Sequence, residues 1–70
     1  MKPPESDAAK ILATLNGSDQ PLTIYEICRA IWGRAGERER NLVMVNIHRL
    51  DKKGLIEKFA ARYGMKNRTS

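Results

Sequence analysis

Asn41-Leu42-Val43-Met44-Val45-Asn46-Ile47-His48-Arg49-Leu50-Asp51-Lys52-Lys53-Gly54-Leu55-Ile56-Glu57-Lys58 is the stretch on which the fold turns. At about 100° per residue, Val43, Ile47 and Leu50 share one helical stripe, which Gly54 extends. The opposite side collects Arg38, Asn41, Val45, His48, Arg49 and Lys52. Glu37 and Glu39 suit the positive end of such a helix, and Lys52 and Lys53 its negative end, so the spacing predicts a helix over about 37 to 53. Gly54 stops it. Leu55-Ile56-Glu57-Lys58-Phe59-Ala60 then reads as a strand, Arg62-Tyr63-Gly64 as a turn, and Met65 to Thr69 as a returning strand.

Upstream, the signals mark two further helices. Ala8, Ile11, Leu12 and Leu15 fall at i, i+3, i+4 and i+7. Ser6 is a fair N-cap and Asp7 suits the first turn, which predicts a helix from about 6 to 16. Asn16-Gly17 ends it, with the glycine expected in the left-handed conformation. Ser18-Asp19-Gln20-Pro21 is a loop by composition, and Leu22 is placed for a one- or two-residue strand. Thr23-Ile24-Tyr25-Glu26 is a capping box that opens a helix over about 23 to 32, with Ile24, Ile27, Cys28 and Ile31 on its apolar face. Gly33 ends it. Residues 1 to 5, with Pro3 and Pro4, read as a loose arm. The expected fold is therefore α+β and mostly helical: one domain over 6–70, with three helices and a short β-hairpin after the third. That is the order of a winged helix-turn-helix.

Composition narrows the partner. A chain of 70 residues holds one domain. At this size folding buries only about 60 % of the unfolded surface, so a deep catalytic cavity would compete with a thin core. Thirteen Lys and Arg against eight Asp and Glu give a net charge of +5, which favours a polyanion, nucleic acid before an acidic membrane. One cysteine excludes an intrachain disulfide and a thiolate zinc site. An intracellular, metal-free and cofactor-free protein is expected. No apolar run approaches the roughly 20 residues of a membrane span, and no secretory signal stands at the N-terminus. No Gly-rich phosphate loop, nucleophile triad or paired carboxylates appear, so no enzymatic activity is expected.

The stretch from Asn41 to Lys58 resembles the recognition helix and first wing strand of winged-helix transcriptional regulators, and is most similar to those of the multiple-antibiotic-resistance repressor superfamily. Leu50-x-x-x-Gly54-Leu55-Ile56 carries most of the likeness. Pro21-Leu22-Thr23-Ile24-Tyr25-Glu26-Ile27 is similar to the start of that family's second helix, and the likeness covers about 15 to 68. It implies sequence-specific binding of double-stranded DNA, as a transcriptional regulator or repressor, with helix 37–53 in the major groove and wing 55–69 on the backbone. The family's dimerisation and effector-binding helices have no counterpart here. No small-molecule effector is expected, and a homodimer on a palindromic site would pair through the arm or the first helix.

Major-groove readout uses Arg against guanine, Asn against adenine and an apolar group against the thymine methyl, and the outward face of the third helix has all three. Leu42, Val43, Met44 and Val45 are four consecutive apolar residues, which one small core cannot bury together. Exposed apolar groups on a basic face suggest a contact surface. The candidate contact set is Arg38, Arg40, Asn41, Leu42, Met44, Val45, His48, Arg49 and Lys52 from the helix. From the wing it is Arg62, Tyr63, Lys66 and Arg68, with Tyr63 at the wing tip and the cations on phosphates. Glu37 and Glu39 blunt the field of Arg34, Arg38 and Arg40, or pair with them locally. His48, with no carboxylate or cysteine partner nearby, reads as a groove contact or an exposed residue rather than a ligand or catalyst. Cys28 reads as a small buried hydrophobe and Trp32 as a lid on the core. The alternative function is a protein-interaction winged-helix adaptor anchored by Leu42, Met44 and Val45. Single-strand or RNA binding ranks last, because four aromatic residues supply few stacking platforms.

Overall fold

The computed structural model of the chain describes residues 6–66. Helix α1 (Asp7–Asn16) starts where Ser6 accepts a 3.1 Å hydrogen bond from the Ala9 amide. Strand β1 (Leu22–Thr23) leads directly into α2 (Ile24–Trp32). Both halves of the expected capping box form: Thr23 Oγ1 accepts from the Glu26 amide at 3.2 Å, and Glu26 Oε1 accepts from the Thr23 amide at 2.8 Å. Together they satisfy two of the amides that a helix N-terminus leaves unpaired. Gly33, at φ 75°, closes α2 in the left-handed conformation. Helix α3 (Glu37–Lys52) follows, with Lys53 as its C-cap, and Gly54 at φ 76° turns the chain out of it. Strands β2 (Ile56–Phe59) and β3 (Arg62–Met65) complete an antiparallel sheet of order β1-β3-β2. The architecture is α+β and mostly helical, in the element order that the sequence predicts.

The core lies between the three helices and the inner face of the sheet. Ile11 and Leu15 enter it from α1, Ile27 and Cys28 from α2, Val43, Ile47 and Leu50 from α3, and Ile56 from β2. Each large aliphatic side chain buried in this way contributes roughly 1.5–3 kcal/mol of transfer free energy. Trp32, Leu12, Tyr63 and Met65 pack around the rim. Burial pushes the Cys28 thiol above its ordinary range, and the nearby Glu39 carboxylate adds to this.

Two local expectations are corrected. Gly17 caps α1 at φ −84°, a right-handed conformation, so the helix ends by tightening its last turn: the Gly17 amide donates to the Ala13 carbonyl and the Ser18 amide to the Leu15 carbonyl. The hairpin turn is also displaced. Phe59 pairs with Arg62, so the turn is Ala60-Ala61, and Arg62-Tyr63-Gly64 forms the first three of the four residues of the central strand. Gly64 signals close packing rather than a bend. Phe59 and Pro21 lie over it, and a Cβ there would stand 3.4 Å from the Phe59 ring. The residues expected to continue the second wing strand past Lys66, and the expected arm at 1 to 5, lie outside the described residues.

One carboxylate joins the hairpin to α2. Glu26 Oε1, already holding the Thr23 amide, also accepts from Arg62 Nη1 at 3.0 Å, and the same Nη1 donates to the Pro21 carbonyl at 3.1 Å. The backbone hydrogen bond from Thr23 is the largest influence on the Glu26 carboxyl; with the smaller contributions of the Arg62 charge and the side-chain hydrogen bonds it outweighs desolvation, which ranks second, and holds the pKa below its ordinary value.

Candidate nucleic-acid interface

Helix α3 is the element that positions the surface. Its Val43, Ile47 and Leu50 are committed to the core, which fixes its rotation. The opposite arc is therefore turned to solvent: Arg38, Asn41, Val45, His48, Arg49 and Lys52 are all exposed. Of the four consecutive apolar residues, Val43 is buried and Leu42 part-buried, while Met44 and Val45 are 54 % and 52 % exposed. The two asparagines of α3 are not equivalent. Asn46 donates its side-chain amide to the Leu42 carbonyl at 2.8 Å, whereas Asn41 faces outward.

Between α3 and the hairpin runs an open groove of about 530 Å³, lined by Met44, Val45, Ile47, His48, Arg49 and the acidic Asp51 on one side and by Lys58 and Tyr63 on the other. Lys58 is placed there by strand alternation. It lies two residues from buried Ile56 and opposite Tyr63, on the face of the sheet turned toward the helices. Smaller hollows adjoin the groove. One, lined by Glu37, Arg38, Asn41, Leu42 and Val45, lies along α3; another, lined by Ile24, Tyr25, Glu37, Arg40, Asn41 and Met44, leads to the start of α2. The hollows meet the groove at Met44 and Val45, so the outer arc of α3 stands between a concavity toward the hairpin and others toward the start of α2.

Several candidate cations are engaged within the protein. Arg40 stacks on Tyr25, its guanidinium carbon 5.3 Å from the ring centroid, while Nη1 donates to the Tyr25 hydroxyl at 3.1 Å. Its Nε donates to the Gly36 carbonyl at 3.4 Å. Arg40 is therefore a positioned group at the junction of α2 and α3 rather than a swinging one. Arg34 lies 3.6 Å from Glu39, a local pair at the start of α3. Arg62, an expected phosphate contact, is bonded to Glu26 and Pro21 and so joins hairpin and helix, while its side chain stays 49 % exposed. Tyr63 is likewise not at the wing tip. It is part-buried in the central strand, on the floor of the groove. Lys66 is exposed, and its amide donates to the Leu55 carbonyl. Arg68 lies outside the described residues.

Sequence reasoning missed Lys58 and Tyr25. Tyr25 sits on the solvent side of α2 and is 53 % exposed, and only its approach to Arg40 across the helix junction shows its place in this surface. Lys58 was visible as a strand residue with the parity of Ile56. Among the described residues no three His, Cys, Asp or Glu side chains gather as metal ligands, and no helix is long and apolar enough to cross a membrane. No family model, curated protein or solved structure matches the chain.

Proposed function

We propose that this chain is a winged-helix protein that binds double-stranded DNA inside the cell as a sequence-specific transcriptional regulator, without enzymatic activity or a small-molecule effector. The observation that carries this is the division of α3. Three residues fix one side in the core, while Arg38, Asn41, His48, Arg49 and Lys52 surround Val45 on the exposed side. A protruding helix of about 10–12 Å diameter fits a major groove about 12 Å wide. In this reading α3 lies in the groove, Asn41 and Arg49 meet base edges, and Arg38, His48 and Lys52 line the walls. Lys58 and Lys66 hold phosphates beside it, with Arg68 as a further backbone contact. Arg40, already oriented by Tyr25, meets the backbone near the start of α2. The net charge of +5 supports the polyanionic partner.

The second reading, a protein-binding adaptor, is favoured by one observation: Tyr25, Met44 and Val45 are each about half exposed along the same surface. A gel-shift with genomic duplex fragments at several salt concentrations separates the two. Retarded complexes at low salt that enrich particular fragments support the regulator. No complex with any duplex at low salt overturns it in favour of the adaptor.

A further inference from the structure

We infer that the DNA site read by α3 has a core of A·T pairs, in which a thymine 5-methyl group seats against Val45 and an adenine is held by Asn41. The inference rests on the DNA-binding reading above and narrows it to a base composition.

Val45 occupies the middle of the exposed arc. Asn41 stands one turn before it, His48 and Arg49 one turn after, and Arg38 and Lys52 lie two turns away on either side. It is half exposed, on the ridge between the groove toward the hairpin and the hollow along α3, and Met44 extends the apolar surface toward Tyr63. A β-branched residue is a mediocre choice for an exposed helix position, and its surface gains nothing from phosphate or from a polar base edge. The major groove offers one apolar group to such a residue, the thymine methyl.

The second element is the amide. Asparagine pairs bidentately with adenine N6 and N7, which needs both side-chain polar atoms. Asn46 has its nitrogen committed to the Leu42 carbonyl, so Asn41 is the asparagine of α3 that faces outward. Four residues of helix advance about 6 Å, close to two base-pair steps of 3.4 Å. The adenine and the thymine therefore fall within about two base pairs of each other.

The test begins by selecting duplexes from a random pool with the full chain, then replaces each thymine of the selected site in turn by deoxyuridine. That change removes only the 5-methyl group and leaves base pairing intact. At one position or two adjacent ones, the replacement should weaken binding roughly fourfold, the worth of about one buried methyl group. Val45→Ala should bind the thymine and deoxyuridine duplexes equally well, with a melting temperature no lower than that of the native chain, since the residue is half exposed and alanine is the better helix former. Asn41→Ala should lose its preference for adenine within two base pairs of that position. Failure to enrich any duplex overturns the DNA-binding reading itself. Enrichment without a methyl effect, or a methyl effect that persists in Val45→Ala, overturns this inference and leaves DNA binding standing.

Discussion

At the scale of single residues, Glu26 has the most concentrated role. One oxygen accepts from the Thr23 amide and from Arg62. Its carboxyl pKa is lowered in the folded chain, so its contribution is present above the unfolded pKa and is lost as pH falls through the folded value. The melting temperature of the native chain should therefore drop more between about pH 6 and pH 3 than that of Glu26→Gln. Parallel pH profiles of the two proteins would remove this role from Glu26. Thr23→Ala, which deletes the other half of the box, should cost about 1 kcal/mol in denaturant unfolding. The binding surface makes a different residue-level prediction. Asn41→Ala and Arg49→Ala should each cost about 1–3 kcal/mol on a selected site and little on random duplex. Lys58→Ala and Lys66→Ala should weaken both duplexes alike and lower the salt slope by about one each. Equal losses on both duplexes for the helix variants would reduce α3 to an electrostatic face.

At the scale of elements, α3 and the hairpin differ in how far their sequences reveal them. Ser6, Thr23 with Glu26, and Gly33 mark helix ends through local chemistry, and the Val43, Ile47 and Leu50 stripe fixes the phase of α3. Leu50→Ala should accordingly cost about 2–5 kcal/mol, enough to unfold a domain this small, as thermal denaturation would show. The hairpin register was hidden because its signals compete. Gly64 looks like a turn residue but is a packing residue beneath Phe59 and Pro21, a requirement that appears only once three strands are assembled. Ala60 and Ala61 form the turn without turn chemistry. Ala60 adopts φ 60°, the left-handed region that disfavours a side chain. Ala60→Gly should therefore raise stability by roughly 0.5–1 kcal/mol, the relief of φ strain exceeding the added chain entropy. A lower melting temperature would contradict the turn geometry. The same shift of register explains the site residues. Tyr63 and Arg62 were assigned to a tip that lies elsewhere; Lys58, by contrast, was legible from its parity with buried Ile56 and needed no register.

At the scale of the whole molecule, the charge of +5 predicts a steep electrolyte effect. If about four to six phosphates are neutralised, log K should fall with log salt at a slope of roughly −4 to −5. A flat profile between low and moderate salt, measured by anisotropy on one duplex, would remove the electrostatic basis of binding. The sheet order has a separate consequence for crowded solutions. β2 is an outermost strand, with a backbone edge that could template a neighbour. Two copies meeting there antiparallel are related by a two-fold axis perpendicular to the sheet, so only residues of like parity can stand opposite. The two registers that overlap most of Ile56–Phe59 centre on Glu57 or on Lys58. The first sets carboxylate against carboxylate, and the second ammonium against ammonium. Adjacent unlike charges on a four-residue strand thus frustrate two-fold pairing of β2 with its own copy by symmetry alone.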